Sequence, residues 1–302
     1  MGRTAVVTGA NSGLGFETAV ALAQHGATVV MACRDHGRCE RAEQDLRKTV
    51  ELARVEPALL DLADLDSIGA FAAEFATRHD RLDILVNNAG VMAPPCRLTT
   101  VQGFELQFGT NHLGHFALTG LLLPLLMRTC GSRVVTVSSF AHESGRIDFE
   151  DLQRERRYRP YGAYSQSKLA NVLFTLELDR RLGRATTAPV SVGVHPGFVS
   201  TNLQSTGPFL CQTRASAWLV LASVRLGGQS ARLGAAPQLF AATASGVHGG
   251  DFYGPRYRVR GYPVPSGMAA QARDEAVAAR LWDVSKQLTG VNIDRIIAEK
   301  AP

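Results

Sequence analysis

The sequence predicts an α/β fold built on one doubly wound parallel sheet, and three observations support this. Short β-branched runs alternate with longer helical patterns, which is the rhythm of βαβ units. Several runs are apolar without alternation, as expected for strands covered by helices on both faces. A glycine-rich stretch follows the first run directly. The predicted strands are Ala5–Val7, Thr28–Met31, Leu59–Leu60, Ile84–Val86, Val134–Val137 and Val190–Val194.

The composition is that of an ordinary globular protein, because 45% of the 302 residues are hydrophobic and 20% are charged. The formal charge of +5 is spread along the chain apart from an arginine cluster at 154–159, so nucleic-acid binding is not expected. No CxxC spacing indicates a zinc or redox centre. Free thiols in a reducing compartment are expected at the five cysteines, Cys33, Cys39, Cys96, Cys130 and Cys211.

The longest strongly apolar stretch indicates a buried helix and no membrane span. It runs from Phe116 to Met127, contains Pro124, and is about half of the ~20 residues that a bilayer requires. The first predicted strand begins near the N-terminus, at Thr4, which leaves no room for a secretory signal. We therefore expect a cytoplasmic protein.

The chain is expected to form a single domain over residues 1–302, since it has no repeat or low-complexity linker. Residues 198–234 are apolar and helical in character, and we expect them to roof a substrate pocket. Residues 249–302 form a C-terminal extension. Its first part, Gly249 to Gly267, is rich in Gly, Pro and Tyr and favours irregular backbone, whereas Asp274 to Leu288 resumes a helical pattern.

The stretch after the first strand, Thr8 to Gly15, opens a helix and contains three glycines. Glycines let the backbone turn sharply and approach a pyrophosphate, and the helix N-terminus attracts that anion. A Rossmann-type dinucleotide site is therefore predicted, although plain βα loops also use glycine turns. The cofactor contacts expected in this loop are Gly9, Asn11, Ser12, Gly13, Leu14 and Gly15.

The end of the second strand favours NADP(H) over NAD(H). An acidic residue at this point would bond the adenosine ribose 2′-hydroxyl, but Cys33 occupies it and Arg34 follows. Arg34 can pair with a 2′-phosphate. Asp35 is the contrary observation, since a small shift of register gives it the ribose role. Further cofactor contacts are expected where the third and fourth strands end, at Asp61, Leu62, Asn88, Ala89 and Gly90.

The chain contains, in order, Thr8-Gly9-x3-Gly13-x-Gly15, Asn87-Asn88-Ala89-Gly90, Asn111, Ser139, Tyr164-x3-Lys168 and His195-Pro196-Gly197. In order and approximate spacing these motifs resemble the short-chain dehydrogenase/reductases over nearly the whole chain. The segments from Asn111 to Phe116 and from Tyr164 to Asn171 are most similar to the retinol-dehydrogenase-like branch and its bacterial relatives. The resemblance implies hydride exchange between a nicotinamide and an alcohol or carbonyl.

The chemistry of the catalytic motif can also be argued directly. Tyr164 and Lys168 are four residues apart on a helical stretch, so they share one face. A tyrosine with a reference pKa near 10 is a poor base at neutral pH, and a neighbouring ammonium stabilises its phenolate. Tyr164 is therefore the expected acid/base. Ser139, at the end of the fifth strand, is expected to bond the substrate oxygen. Of the adjacent serines one should face away from the substrate, and the resemblance implies that Ser139 rather than Ser138 faces it.

The remaining roles are implied by the resemblance. Asn111 would bind a water that links Lys168 to solvent, and Tyr164 and Lys168 would also contact the cofactor. The segment after the sixth strand would hold the nicotinamide carboxamide through Pro196, Gly197, Val199 and Thr201. No metal is expected, because the spacing of His112, His115, His142 and His195 matches no zinc pattern.

Phe209, Leu210 and Trp218 indicate a hydrophobic substrate or, equally, helix packing or an interface. Two alternatives to alcohol–carbonyl chemistry stay open. One is a carbon–carbon double-bond reductase like protochlorophyllide reductase, and the other is an NADP-sensing protein without catalysis. The family often uses the helix of Tyr164 and Lys168 in interfaces, so a homodimer or homotetramer is the expected assembly.

Overall fold

The computed structural model describes residues 2–183, 188–199 and 229–300. These residues form an eight-stranded sheet in the order β3-β2-β1-β4-β5-β6-β7-β8. Every neighbouring pair is parallel except β7 and β8. The strands are β1 (Thr4–Thr8), β2 (Thr28–Cys33), β3 (Arg54–Leu59), β4 (Ile84–Asn87), β5 (Arg133–Val137), β6 (Val190–Val194), β7 (Phe252–Pro255) and β8 (Pro263–Pro265). The doubly wound α/β prediction is confirmed.

Helices connect the parallel strands, and three short irregular helical turns lie among them, one of which is the 3-10 turn Ala270–Arg273 before the helix from Glu275. A π-helical turn at Gly109–Leu113 leads into the fifth helix, and a short 3-10 helix, Phe140–Ser144, follows β5. The helices are α1 (Gly13–Gln24), α2 (His36–Thr49), α3 (Leu65–Arg78), α4 (Leu106–Phe108), α5 (Gly114–Arg128), α6 (Pro160–Leu182), α7 (Ala231–Gly234), α8 (Ala236–Thr243), α9 (Glu275–Thr289) and α10 (Ile293–Lys300).

The core consists of two layers, one on each face of the sheet. In β1, Ala5 and Val7 pack on one face while Val6 packs on the other. Helices α1, α2 and α8 cover the first face, and α3, α5, α6 and α10 cover the second. Because both faces are covered, the inner strands are apolar throughout instead of alternating. The predicted apolar stretch at Phe116 to Met127 is the buried part of α5.

Two predicted boundaries are wrong. The third strand begins at Arg54 rather than Leu59; it lies at the sheet edge, so it lacks the continuous apolar run of the inner strands. The stretch from Gly249 to Gly267 is not wholly irregular, because Phe252 and Tyr253 pair with Gly193 and Val194 of β6. This pairing depends on a partner far away in sequence, which local composition does not reveal.

Helix α9 agrees with the helical pattern predicted from Asp274 to Leu288. Asp274 accepts a hydrogen bond from the Val277 amide and caps α9.

Five residues singled out in the sequence lie outside the described residues, namely Thr201, Phe209, Leu210, Cys211 and Trp218. Within the described ranges, no helix has the length and apolar character needed to cross a membrane.

Candidate active site

One groove crosses the edge of the sheet at which the parallel strands end. It begins beside the glycine-rich loop after β1, passes the end of β4 and reaches α6. Because open parallel sheets bind ligands at this edge, the groove is the candidate site. Its lining residues are Gly9, Asn11, Ser12, Gly13, Leu14, Gly15, Ala32, Arg34, Asp35, Arg38, Leu60, Asp61, Leu62, Asn88, Ala89, Gly90, Val91, Thr110, Val137, Ser138, Ser139, Tyr164, Lys168 and Pro196.

The glycine loop has the conformation and packing that only glycine permits. Gly9 has φ 66° and Gly13 has φ 56°, both in the left-handed region. A Cβ on Gly15 would lie 2.5 Å from the Gly9 carbonyl oxygen, so α1 packs directly against the loop. These three positions explain the glycine spacing in the sequence.

The N-terminus of α1 also fits an anion. Ser12 precedes the helix, and its hydroxyl makes no capping hydrogen bond. The first turn contains no acidic side chain, so nothing there opposes the positive end of the helix dipole. A pyrophosphate fits this loop in both shape and charge.

Two arginines face the groove where β2 ends. Arg34 and Arg38 are exposed and line it. The carboxylate of Asp35 caps α2 by accepting a hydrogen bond from the Arg38 amide at 2.9 Å, and it lies 3.6 Å from the Arg38 guanidinium. Asp35 is therefore already engaged by α2. Cys33 is buried and is not among the residues that line the groove.

Arg38 is not among the residues predicted from sequence. A signal for it exists, because Asp35 followed by a helical pattern is an N-cap. The third residue after an N-cap lies in the first turn of the helix, next to the loop before it. Arg38 thus joins Arg34 at the same end of the groove.

The turn after β4 is tied to the glycine loop through Thr8. Its hydroxyl oxygen accepts hydrogen bonds from the amides of Asn88 and Ala89, each at 2.9 Å. The Asn88 carboxamide donates to the Thr8 carbonyl at 2.7 Å. Asp61, after β3, accepts from the Ala63 amide at 2.9 Å. Three strand ends thereby form one side of the groove.

Tyr164, Lys168 and Ser139 meet at the other end of the groove. All three line the groove there, and the Ser139 side chain is near enough to the Tyr164 phenol to lower its pKa, against the effect of burial. The Lys168 ammonium lies 5.7 Å from the centre of the Tyr164 ring and donates to the Val137 carbonyl at 3.1 Å. Ser138 donates its hydroxyl to the Lys168 carbonyl at 2.7 Å, so the Ser138 hydroxyl is already engaged by the backbone of α6.

Burial controls the protonation of this pair. Burial raises the pKa of Tyr164 to about 12, opposed by the Ser139 side chain. Burial lowers the pKa of Lys168 to about 8. The sequence predicts that the ammonium stabilises the phenolate, but in the protein alone desolvation is the larger influence on both pKa values. The phenol is protonated at neutral pH, which is the state that a proton donor needs.

Asn111 lies behind the groove wall, in the π-helical turn. Its Oδ1 accepts from the Val91 amide at 2.8 Å, and its Nδ2 donates to the Val91 carbonyl and to Ser167 Oγ, both at 2.9 Å. A Cβ on Gly90 would lie 3.1 Å from Asn111 Oδ1 and 3.5 Å from Lys168 Nζ. Gly90 therefore lets Asn111 and Lys168 approach one another.

The segment after β6 contributes less than expected to the described groove. Pro196 lines it, whereas Gly197 and Val199 do not. Gly197 has φ 74°, and a Cβ there would lie 2.5 Å from the Val259 carbonyl oxygen, so it packs under the turn between β7 and β8. No group of three or more His, Cys, Asp or Glu side chains suited to a metal occurs in the described part of the chain.

Comparisons with known proteins agree with this architecture. The family model for short chain dehydrogenase matches residues 3–207. The chain is 42% identical over 314 residues to retinol dehydrogenase 13 of Homo sapiens, covering 100% of this chain and 88% of that protein. The crystal structure of an uncharacterised protein from Mycobacterium paratuberculosis superposes with a TM-score of 0.78 at 44% identity, covering 96% of this chain and 94% of that one.

A more distant structure carries a nucleotide. The NAD(P) dependent gluconate 5-dehydrogenase assigned in Beutenbergia cavernae superposes with a TM-score of 0.65 at 26% identity, covering 84% of this chain and 94% of that one. Its crystal structure has bound NADP at low occupancy.

Proposed function

The chain belongs to the short chain dehydrogenase family and is retinol-dehydrogenase-like, and from this premise we propose that it interconverts a hydrophobic alcohol and its ketone or aldehyde with NADP(H). Family membership makes it an oxidoreductase acting on CH–OH donors with NAD(P)(H). The observation that supports the finer proposal is the groove itself. Two arginines line one end of it, and Tyr164, Lys168 and Ser139 lie together at the other.

In the proposed mechanism Tyr164 handles the proton. A bound nicotinamide supplies or accepts the hydride. During reduction the neutral Tyr164 phenol protonates the substrate oxygen, and during oxidation the phenolate takes the alcohol proton. Lys168 stabilises the phenolate left after proton donation. Ser139 bonds the substrate oxygen and orients it towards Tyr164.

The other residues of the proposed site hold and orient the cofactor. We assign the pyrophosphate to the glycine loop, and the adenine side to Asp61 and Leu62. The nicotinamide ribose goes to Tyr164 and Lys168, and the carboxamide to the segment from Pro196 to Thr201. Asn111 completes the catalytic set as the residue beside Lys168. The proposal includes one domain over residues 1–302, with residues 198–234 next to the substrate.

The preference for NADP(H) rests on Arg34 and Arg38. Both are exposed and line the groove where we place the 2′-phosphate. The Asp35 carboxylate caps α2 and lies 3.6 Å from the Arg38 guanidinium. We expect Arg34→Gln and Arg38→Gln each to raise the NADPH dissociation constant about tenfold, the effect of one charge-assisted hydrogen bond. The NADH dissociation constant should stay unchanged, as should both constants in the control Arg128→Gln, at the far end of α5. Equal affinities of the wild type for NADPH and NADH would contradict the preference.

The reaction is tested by following NADPH consumption with aldehydes, ketones and quinones of increasing size. We expect turnover of carbonyls, with kcat/KM rising with apolar size. A preference for small polar carbonyls would remove the hydrophobic substrate from the proposal. Consumption only with conjugated double bonds would favour the reductase alternative, and NADPH binding without any turnover would favour the sensor.

A further inference from the structure

The imidazole of His115 connects two parts of the site. It lies on α5 and is 1% exposed. Its Nε2 is 3.0 Å from the Thr8 hydroxyl oxygen, and its Nδ1 is 3.0 Å from the Asn111 carbonyl oxygen. Thr8 begins the glycine loop, and Asn111 belongs to the π-helical turn beside Lys168. One side chain therefore bridges the cofactor loop and the catalytic end of the groove.

The two partners determine which nitrogen carries the hydrogen. A carbonyl oxygen only accepts, so Nδ1 must donate to Asn111. In the neutral ring Nε2 then has a lone pair, and the Thr8 hydroxyl donates to it. Burial lowers the pKa of His115 to about 4; the hydrogen bond to Asn111 opposes this shift and the Lys168 charge adds to it. The ring is thus neutral at physiological pH, with its hydrogen on Nδ1.

The bond to His115 also determines the direction of the Thr8 hydroxyl. The oxygen of Thr8 accepts from the amides of Asn88 and Ala89, which uses both of its lone pairs. Its one hydrogen points to His115 Nε2 at 3.0 Å or to the Val86 carbonyl at 3.3 Å. The imidazole is the nearer acceptor, so it completes a network that runs from the β4 turn through Thr8 to Asn111.

We propose that His115 is a positioning residue, which holds the Asn111 carbonyl and with it the turn beside Lys168 in register with the cofactor loop. This inference rests on the proposed oxidoreductase function. A matched comparison is provided by His112, which is 2% exposed, lies three residues earlier, and bonds Ser285 Oγ on α9 at 2.9 Å. His112 is equally buried but faces away from the groove.

Two isosteric variants test the proposal. In His115→Asn the amide group can stand where Nδ1 stands and donate to Asn111. In His115→Gln the longer side chain places its amide near Nε2 and leaves the Asn111 carbonyl without this donor. A buried acceptor that loses one of its donors is less well satisfied than in the wild type. We therefore expect kcat to fall at least about tenfold in His115→Gln and to stay within about threefold of wild type in His115→Asn.

The NADPH dissociation constant should change little in either variant, because Thr8 keeps its bonds to Asn88 and Ala89. His112→Asn serves as the control and should lower the unfolding free energy without changing kcat. The proposal is overturned if the two His115 variants lose kcat equally, if neither loses it, or if His112→Asn behaves like His115→Gln.

A measurement on the wild type covers the case in which a variant does not fold. The ¹⁵N shifts of the His115 ring should report a neutral imidazole with hydrogen on Nδ1 at both pH 7 and pH 5.5. A hydrogen on Nε2, or a charged ring at pH 7, overturns the inference. If the wild type shows no NADPH-dependent turnover, the proposed function fails, whereas these shifts still test the bridge itself.

Discussion

Lys168 and Tyr164 lie one helical turn apart on α6, with the Lys168 ammonium 5.7 Å from the centre of the Tyr164 ring. Both side chains are buried, at 4% and 6% exposure. The ammonium does not contact the phenol oxygen directly but donates to the backbone of β5 at Val137. Its effect on Tyr164 is therefore that of a nearby charge, and this makes the two roles separable by experiment.

Removing the Tyr164 hydroxyl should abolish turnover but not cofactor binding. We expect Tyr164→Phe to lower kcat about 10²- to 10⁴-fold, the usual contribution of a general acid. The NADPH dissociation constant should stay within a few-fold of wild type. Tyr161→Phe is the control, since Tyr161 lies on the same helix with its ring centre 6.1 Å from that of Tyr164 but is 50% exposed. Steady-state kinetics with fluorescence titration decide this, and turnover retained by Tyr164→Phe would remove it from the mechanism.

The rate of carbonyl reduction should fall as the pH rises through about 8. Burial lowers the pKa of Lys168 to about 8, so its charge is present below that pH and lost above it. Burial raises the pKa of Tyr164 to about 12, so the proton donor itself is still protonated throughout this range. In Lys168→Arg the guanidinium does not titrate, and we expect the alkaline decline to disappear. An unchanged decline in that variant would assign it to another group.

Acid should destabilise the fold through buried neutral histidines. Burial lowers the pKa of His112 to about 3 and those of His115 and His195 to about 4. The unfolded chain therefore binds more protons below pH 6.5, and stability is lost as pH falls from there towards 4. Each histidine should contribute about 1–2 kcal/mol of loss between pH 7 and pH 5.

Urea unfolding at the two pH values measures this effect. His112→Asn should reduce the pH dependence by the contribution of one histidine. His248→Asn should leave it unchanged, because the His248 side chain is 82% exposed. Equal pH dependence in wild type and His112→Asn would contradict the prediction.

Two glycine-to-alanine substitutions should have opposite effects. A Cβ on Gly15 would lie 2.5 Å from the Gly9 carbonyl oxygen and 2.6 Å from Asn88 Nδ2, so the loop must shift. We expect Gly15→Ala to weaken NADPH binding at least about tenfold and to cost about 1–3 kcal/mol of stability. Gly69, inside α3, has nothing within 4 Å of such a Cβ. Gly69→Ala should therefore stabilise the protein by about 0.5–1 kcal/mol, as measured by thermal or urea unfolding.

The parts of the fold predicted from sequence are those with a local signal. Unbroken apolar runs predict the inner strands such as β4, and the glycines that pack at 9, 13 and 15 predict the phosphate loop. Strand β7 has no such signal, because it forms through pairing with β6, which lies far away in sequence, and with β8. The bond between His115 and Thr8 joins residues 107 positions apart, and only folding brings them together.

The residues of the candidate site show how far motif spacing leads. Tyr164 and Lys168 follow from helical periodicity alone, since one helix contains both. The position of Asn111 behind Gly90 depends on how the π-helical turn packs against the segment after β4. The hydrogen bonds of its carboxamide group with Val91 and Ser167 are visible only in three dimensions. For Arg38 the sequence predicts one part of the answer. The Asp35 cap of its helix can be predicted, but the direction of the Arg38 side chain towards the groove cannot.

Strand β8 has a consequence for how copies of this chain can associate. Of its three residues, Pro263 and Pro265 have no amide hydrogen. Val264 pairs with Gly254 of β7, in a register where residues 262, 264 and 266 face that strand. A second molecule that tried to add a strand beside β8 would therefore find no outward-facing amide donor in β8, where a regular edge offers a row of them. The antiparallel hairpin of β7 and β8 thus ends the sheet, and we expect no strand of a second molecule to pair with this edge.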